Sequence, residues 1–438
     1  MFQQLSTIVS GQYLCAVLNE DLSELLRAGT RRAWYNNRMR KAFLIALTLA
    51  SLAFSQARPN VRAITAFIRI DAAHYEAQVA EAVKFLNAAR EEYRAAGFEV
   101  ETIRVVTQPL AEYTKGMKHA DALALLRKYG ELAAKLGFSP NLGAVQLTDD
   151  DDRSTVDLAI DVFASTKING SLVVAADDGI HWKSIREAAR LVKAVAAKSP
   201  NGAGNLNFAT TAMVKPYGPF YPGAWHTGPG KTFAVGLESA NVVAEVFAQF
   251  HEPGPAETKL AEALTGHLLR AEAAAVRIAK TTQWTYAGLD PTPAPLGDVS
   301  IGRAIENFIG APFGSGGTMT AASVITRAVQ STPVKQVGYA GLMVPVLEDN
   351  VLAKRWEEGT YNMDSLLAYS AVCAGGLDTI PLPGDIGEER LARILGDVAS
   401  LAYKWRKPLA ARLLPAPGKK AGDRTAFDDA RMANTIVR

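Results

Sequence analysis

The stretch from Asn60 to Gln108, NVRAITAFIRIDAAHYEAQVAEAVKFLNAAREEYRAAGFEVETIRVVTQ, decides the fold class. Residues 60–70 alternate and are rich in β-branched side chains, the pattern of a strand. Residues 75–97 form an alanine-rich amphipathic helix closed by Gly97. Residues 98–108 return to strand periodicity. A strand, a helix and a strand at this spacing make a βαβ unit, whose crossover brings its strands parallel.

The rhythm continues downstream. DALALLRKYGELAAKLG (121–137) reads as a helix, NLGAVQLTD (141–149) and INGSLVVAA (168–176) as strands, and WKSIREAARLVKAVAAK (182–198) as a helix. The acidic run Asp149–Asp152 suits a helix start, where carboxylates meet free N–H groups. FATTAMVKP (208–216) and KTFAVGLES (231–239) read as strands around the loop YGPFYPGAWHTGPG (217–230). A long helix over 256–284, a proline-rich segment YAGLDPTPAPLGD (286–298) and two helical stretches split by Gly314, Gly316 and Gly317 follow. This order predicts a largely parallel sheet with helices outside it. No repeat or linker divides residues 58–438, which read as a single α/β domain.

At 438 residues, 48% hydrophobic and 21% charged, the composition is that of a globular chain. The net charge of +3 arises within residues 1–57, and the remainder is balanced. No basic stripe interleaved with aromatics occurs, so a nucleic-acid partner is not expected. Met39-Arg40-Lys41, the uncharged run AFLIALTLASLAF (42–54) and small residues at Ser55 and Ala57 have the layout of a signal peptide over 39–57. The apolar run is too short for a good membrane span. Residues 1–38 then read as a non-native extension ahead of the true start. The expectation is an exported protein, periplasmic or secreted, cleaved near Ala57 and left with no membrane span. Its mature form has one cysteine, Cys373, and therefore no internal disulfide.

Four segments contain candidate chemistry. GAPFGSGGTMTAASVI (310–325) offers Gly316, Gly317 and Thr318 as an anion cradle at a helix start, or else as a tight interhelical turn with a threonine cap. His226 sits in the aromatic loop, with Tyr221 and Trp225 beside it as walls of a pocket, or is an ordinary hydrogen-bonding residue. Glu348 and Asp349 end the apolar run GYAGLMVPVLEDN (338–350), as cation ligands or as plain turn residues. AVCAGGLDTIPLPGD (371–385) places Cys373 at a helix C-terminus, where the dipole does not lower a thiol pKa, and brackets TIPLPG between Asp378 and Asp385. Its prolines resist a central strand, so this apolar segment is expected to enter the protein as an irregular loop.

These segments together resemble the protein family catalogued as domain of unknown function 711. Members show a Val-Cys-x-x-Gly-Leu-Asp segment followed by Pro-Gly-Asp, a Pro-Phe-aromatic-Pro…His…Gly-Leu-Glu segment and a Pro-Val-x-Glu-Asp segment, matched here in order from Asn60 to Asp423. The resemblance implies a ten-stranded α/β barrel like that of pyruvate formate-lyase, with helices outside and a finger loop, Cys373 to Asp385, inside. It supplies no reaction. Glycyl-radical chemistry is not expected: Ala374 follows Cys373 where the lyase pairs cysteines, and no glycine follows Gly422. The likeness is compatible with a homodimer.

Two functions follow. One is an enzyme of unknown reaction with a barrel-centre site, using Cys373, Asp378, Asp385 and His226 as catalytic groups. Glu238, Glu348 and Asp349 would then suit a divalent metal ion or proton transfer next to a carbonyl. The other is a non-catalytic exported protein that binds a small anion or a metal, with Gly316, Gly317 and Thr318 contacting the ligand together with His226; a structural or assembly role with no ligand is the remaining alternative. The identity of the small-molecule ligand is not legible.

Overall fold

Along the strand Val100–Val106 the side chains divide by face: Ile103 and Val105 enter the apolar core, while Thr102 and Arg104 turn to the other side. That division runs through the whole sheet and sets where the polar chemistry collects. In the computed structural model, which describes residues 57–438, these residues form one compact unit. The extension 1–38 and all of the signal segment except Ala57 lie outside the described residues.

Ten strands make one mixed sheet. They are β1 (Asn60–Phe67), β2 (Val100–Val106), β3 (Ser139–Ala144), β4 (Asn169–Ala176), β5 (Gly179–Ile180), β6 (Phe208–Ala212), β7 (Thr232–Glu238), β8 (Thr285–Asp290), β9 (Gly376–Pro383) and β10 (Leu409–Ala416). The order is β8-β7-β1-β2-β3-β4-β6-β10-β9, with the short β5 antiparallel to β4. Strands β1, β2, β3, β4 and β6 are mutually parallel, as the βαβ rhythm predicts. At both ends the direction reverses: β7 is antiparallel to β1 and β10 to β6, and each is continued by a parallel neighbour, β8 and β9.

The helices follow the strands in sequence: α1 (Tyr75–Ala95), α2 (Leu110–Thr114), α3 (His119–Leu136), α4 (Ser154–Ser165), α5 (Trp182–Lys198), α6 (Ala240–Phe247), α7 (Pro253–Thr281), α8 (Ile301–Ile309), α9 (Thr318–Gln330), α10 (Asn350–Glu358), α11 (Met363–Ser370) and α12 (Glu388–Trp405). Helix α1 lies on β1 and β2, α5 on β4, and α12 on β4, β6 and β10. Their apolar stripes bury Ile64, Val105, Leu172, Val235 and Leu413 in one continuous core. At about 25 cal/mol per Å² of apolar surface removed from water, this outer layer is the main source of stability.

The inner face has a different composition. Thr65, Arg104, Ser171, Asp378 and Arg412 sit there among the small residues Ala234, Gly236 and Ala410. It is covered by the loop 213–231, which leaves β6 and returns to β7. Thr65 Oγ1 and Arg104 Nη1 donate to Pro219 O at 2.9 and 3.3 Å, and Tyr221 Oη donates to Val105 O at 2.9 Å. Phe220 lies over Gly236, where an added Cβ would come within 3.0 Å of the ring, so only glycine leaves room for it.

The segment 335–347 spans the two outer strands. Leu289 N of β8 donates to Lys335 O at 2.8 Å, Val337 N donates to Leu289 O at 3.1 Å, and Val346 N donates to Asp378 O of β9 at 3.0 Å.

Gly376–Pro383 corrects the expectation of an irregular finger. It is a strand, parallel to β10 along its length. Pro381 and Pro383 are tolerated because β9 is the last strand of the order, where a missing N–H breaks no second ladder. The loop that lies across the inner face is 213–231. Tyr286–Asp290, at the head of the proline-rich segment, also belongs to a strand, β8.

Candidate functional site

Between β9 and β10 the register shifts: Leu377 pairs with Ala411 and Ile380 with Leu413, so Asp378 and Thr379 together oppose Arg412. Such a bulge bends the strand and re-aims side chains. Thr379 takes the left-handed conformation, φ 51°, which costs a non-glycine residue about 1–2 kcal/mol. Its hydroxyl accepts Leu347 N at 3.0 Å, which helps to hold that backbone.

The bulge points Asp378 at Arg412, with Nε to Oδ1 at 2.7 Å. Arg412 Nη2 reaches Oε1 of Glu348, the residue that follows the 335–347 segment, at 2.9 Å. All three line a cavity of ≈1070 Å³ together with Arg62, Arg104, Phe220, Tyr221, Met343 and Arg431. Residues of α3, α4 and the 3-10 turn 200–207 also line it.

The two carboxylates that Arg412 holds are driven apart. Burial raises the pKa of Asp378, and the neighbouring Glu348 charge raises it further, beyond what Arg412 recovers. Burial also acts on Glu348, but the guanidiniums of Arg412, Arg62 and Arg431 outweigh it and hold that carboxyl below its usual range. One acid that stays charged beside one that accepts a proton readily is the arrangement from which acid–base roles are assigned.

Arg104 differs from Arg62, Arg412 and Arg431. Arg62 Nη1 is held by Glu238 at 2.8 Å and by Glu101 at 3.2 Å, and Arg431 is forked onto Asp429. Arg104 has no carboxylate partner among the described residues. Its Nε donates to Thr102 Oγ1 at 3.1 Å, its Nη1 to Pro219 O, and its guanidinium lies over the Tyr221 ring at 4.7 Å. It is 8% exposed. Burial and the like charge of Arg62 lower its pKa to about 10, so it is still a cation at neutral pH. The ring face offsets part of the desolvation, by about 2 kcal/mol at a buried site.

The remaining candidates are dispersed, each for a structural reason. Cys373 is buried below β9, and burial raises its thiol pKa. Asp385 is exposed in the turn after β9. His226 is buried at the opposite end of β1, its Nε2 hydrogen-bonded to Ile68 O at 2.9 Å and its ring edge-on to Phe67; burial lowers its pKa to about 4. Gly316, Gly317 and Thr318 form a self-contained turn, in which Gly314 N donates to Thr318 Oγ1 and Thr318 Oγ1 donates to Ser315 O.

The proposed metal set does not assemble. Glu348 is committed to Arg412 and Glu238 to Arg62. Asp349 caps α10 and accepts from Ser300 Oγ, Gly302 N, Val351 N and Leu352 N, which ties the starts of α8 and α10 together. Among the described residues no group of three His, Cys, Asp or Glu side chains is placed to hold a metal ion.

Arg104, Arg412 and Arg431 were not among the expected site residues. The signal was present for two of them: ETIRVV and LAARLLPA each carry one arginine inside an apolar strand, a placement that requires a buried partner or a ligand. Tyr221 and Trp225 were expected to wall a pocket around His226; Tyr221 lines this cavity instead, and neither Trp225 nor His226 does.

Fold and site define an α/β protein with an arginine-rich internal cavity. The chain matches the family described as Uncharacterised ACR (DUF711) over residues 54–428, and it belongs to that family. Among its relatives, a UPF0210 protein of Pyrobaculum aerophilum is 30% identical over 75% of this chain and 76% of the relative. One from Carboxydothermus hydrogenoformans is 29% identical over 76% and 77%. One from Pyrobaculum arsenaticum is 33% identical over 56% of each, little more than half of either chain. No described helix is long and apolar enough to cross a membrane.

Proposed function

We propose that this protein is an enzyme acting on a small anionic molecule in the cavity beneath the 213–231 loop. Arg104 holds the anion and Asp378 moves a proton. The observation that carries this reading is Arg104 itself: a buried guanidinium, set over Tyr221, that faces the cavity and has no carboxylate partner among the described residues. Leaving a buried charge uncompensated costs several kcal/mol, and a bound carboxylate or phosphate oxygen removes that cost.

In the proposed step, ionised Asp378 takes a proton from carbon next to a carboxylate or carbonyl. The C–H electron pair is delocalised onto the oxygen that faces Arg104. Glu348 stays ionised and keeps Arg412 in place. Cys373, buried and not lining the cavity, has no part in this step.

We also infer that the sheet closes on itself through the 335–347 segment, giving the barrel implied by the family likeness. The support is that this segment is hydrogen-bonded to β8 at its start and to β9 at its end. Export is part of the same proposal, supported by the charge and hydropathy pattern of residues 39–57. Amino-terminal sequencing of the protein from cells would test it, and a mature chain still carrying residue 39 would end it.

A second reading, a binding protein without catalysis, draws on Arg412 occupying both carboxylates at once. Calorimetric titration with small carboxylic acids and inorganic phosphate, followed by NMR of α-proton exchange in heavy water, separates the two. The enzyme reading expects Arg104→Met to lose binding and Asp378→Asn to keep binding while losing exchange. Binding without exchange in the unaltered protein leaves the binder. Binding undiminished in Arg104→Met removes both.

A further inference from the structure

We propose that Arg431 is a second ligand-contacting residue and that the ligand carries two anionic groups, one facing Arg104 and one facing Arg431. The proposal rests on the reading of Arg104 given above and specifies the ligand class for that site.

Residues 422–437 fold into a hairpin: Gly422 N donates to Val437 O at 2.9 Å, Val437 N to Asp423 O at 2.8 Å and Thr425 N to Thr435 O at 2.8 Å. It is docked beside the site, since Ala433 N donates to Leu347 O at 2.7 Å, next to Glu348 in sequence. On its other side Asn201 Nδ2 donates to Ala426 O at 3.1 Å. The bend of the hairpin brings Asp428, Asp429 and Arg431 onto the wall of the cavity that Arg104 also lines.

Asp429 acts as a positioning residue. Its two oxygens accept Arg431 Nε at 2.9 Å and Nη2 at 2.6 Å, a fork that fixes the plane of the guanidinium. The fork uses one edge of the group; the side chain is 61% exposed, so the Nη1 donors, without a protein acceptor among the described residues, are open to solvent and reachable by a ligand. Arg104 Nη2 is likewise without one. Two oriented cations with spare donors on one cavity are matched by a ligand that is anionic at both ends. The apolar side chains of Phe220 and Met343, also in the wall, suit a short carbon skeleton between those ends. Residue 431 lies past the family-matched stretch, which ends at residue 428, so the family likeness carries no expectation for it.

The test is calorimetric titration of the full chain with malonate, succinate and glutarate against acetate and butyrate. The unaltered protein is expected to prefer one of the diacids over the monoacids by about tenfold or more. Arg431→Gln should erase that preference and leave monoacid binding as it was, with Arg431→Lys in between. Unchanged thermal melting verifies that the variants are folded. A diacid preference intact in Arg431→Gln overturns this inference and leaves Arg104 untouched. Monoacid binding intact in Arg104→Gln, or no binding of any of these probes to the unaltered protein, overturns the reading of Arg104 and this inference with it.

Discussion

Asp378 and Arg412 face each other across a β-bulge, 2.7 Å apart, on neighbouring parallel strands. Arg412 is buried, and the same guanidinium also holds Glu348. Removing it leaves two carboxylates without their cation. Arg412→Met should therefore destabilise the fold by about 3–5 kcal/mol, measured by urea unfolding at neutral pH. The loss should shrink in acid. Without Arg412, burial lifts the folded pKa values of both carboxyls above their unfolded values. Their contribution is then present below pH ~4 and is lost as pH rises through the lifted values. A loss of equal size at pH 4.5 and pH 8 would show that packing, not charge, holds this corner together.

Cys373 is 2% exposed, and burial raises its thiol pKa, so little thiolate forms at neutral pH and none is accessible. Iodoacetamide should label it slowly at pH 8 and rapidly only in denaturant, with a midpoint that follows the loss of tertiary signal. Labelling of the native protein at the rate of a free thiol would contradict the burial and reopen nucleophilic catalysis.

His226 has its pKa lowered by burial from the ordinary 6.5 to about 4. The unfolded chain takes up that proton first. The histidine's contribution is complete above pH 6.5 and is lost as pH falls towards 4, a span of about 3 kcal/mol if no other group responds. Comparing His226→Gln with the unaltered protein across this range isolates it. The variant should be less stable at pH 8 and lose less on acidification. Parallel curves for the two proteins would assign the acid response to other groups.

The alternating architecture was legible because helix and strand periodicities differ and the segments from Asn60 to Lys198 are long enough to display them. The edges were not. In β9 the sequence DTIPLP argues against a strand unless its position at an end of the sheet is known, and order within the sheet is not a local property. The site divides in the same way. Asp378 and Glu348 were legible as acids near turns, but the arginine that joins them, Arg412, is 34 residues from Asp378. Gly-rich 310–325 left two readings open because a glycine turn that closes on its own threonine, as this one does, has the same composition as one that holds an anion. Asp349 misled likewise, since an acid that caps two helix starts is indistinguishable in sequence from one that binds a cation.

The attachment of 335–347 to β8 depends on Asp290, and that dependence is testable at one glycine. Asp290 is fully buried at the end of β8, and its carboxylate accepts Tyr339 N at 2.7 Å, Ala340 N at 3.1 Å and Thr292 Oγ1 at 2.6 Å. Gly338 lies directly against it: a Cβ there would sit 2.1 Å from Oδ2, and its φ of +74° is in the left-handed region. Gly338→Ala therefore has to move the carboxylate or the backbone, and in either case hydrogen bonds to a buried acid are broken, at about 1–3 kcal/mol for each group left unsatisfied. The expected result is a loss of at least ~2 kcal/mol, with faster hydrogen exchange at Val337, Tyr339 and Ala340 and little change in β1 and β2. Because Met343 reaches the cavity from this segment and Glu348 directly follows it, anion binding should weaken in parallel. Exchange that quickens uniformly across the sheet would instead make 335–347 an inseparable part of one cooperative core, rather than a strap whose middle is held by the Asp290 carboxylate.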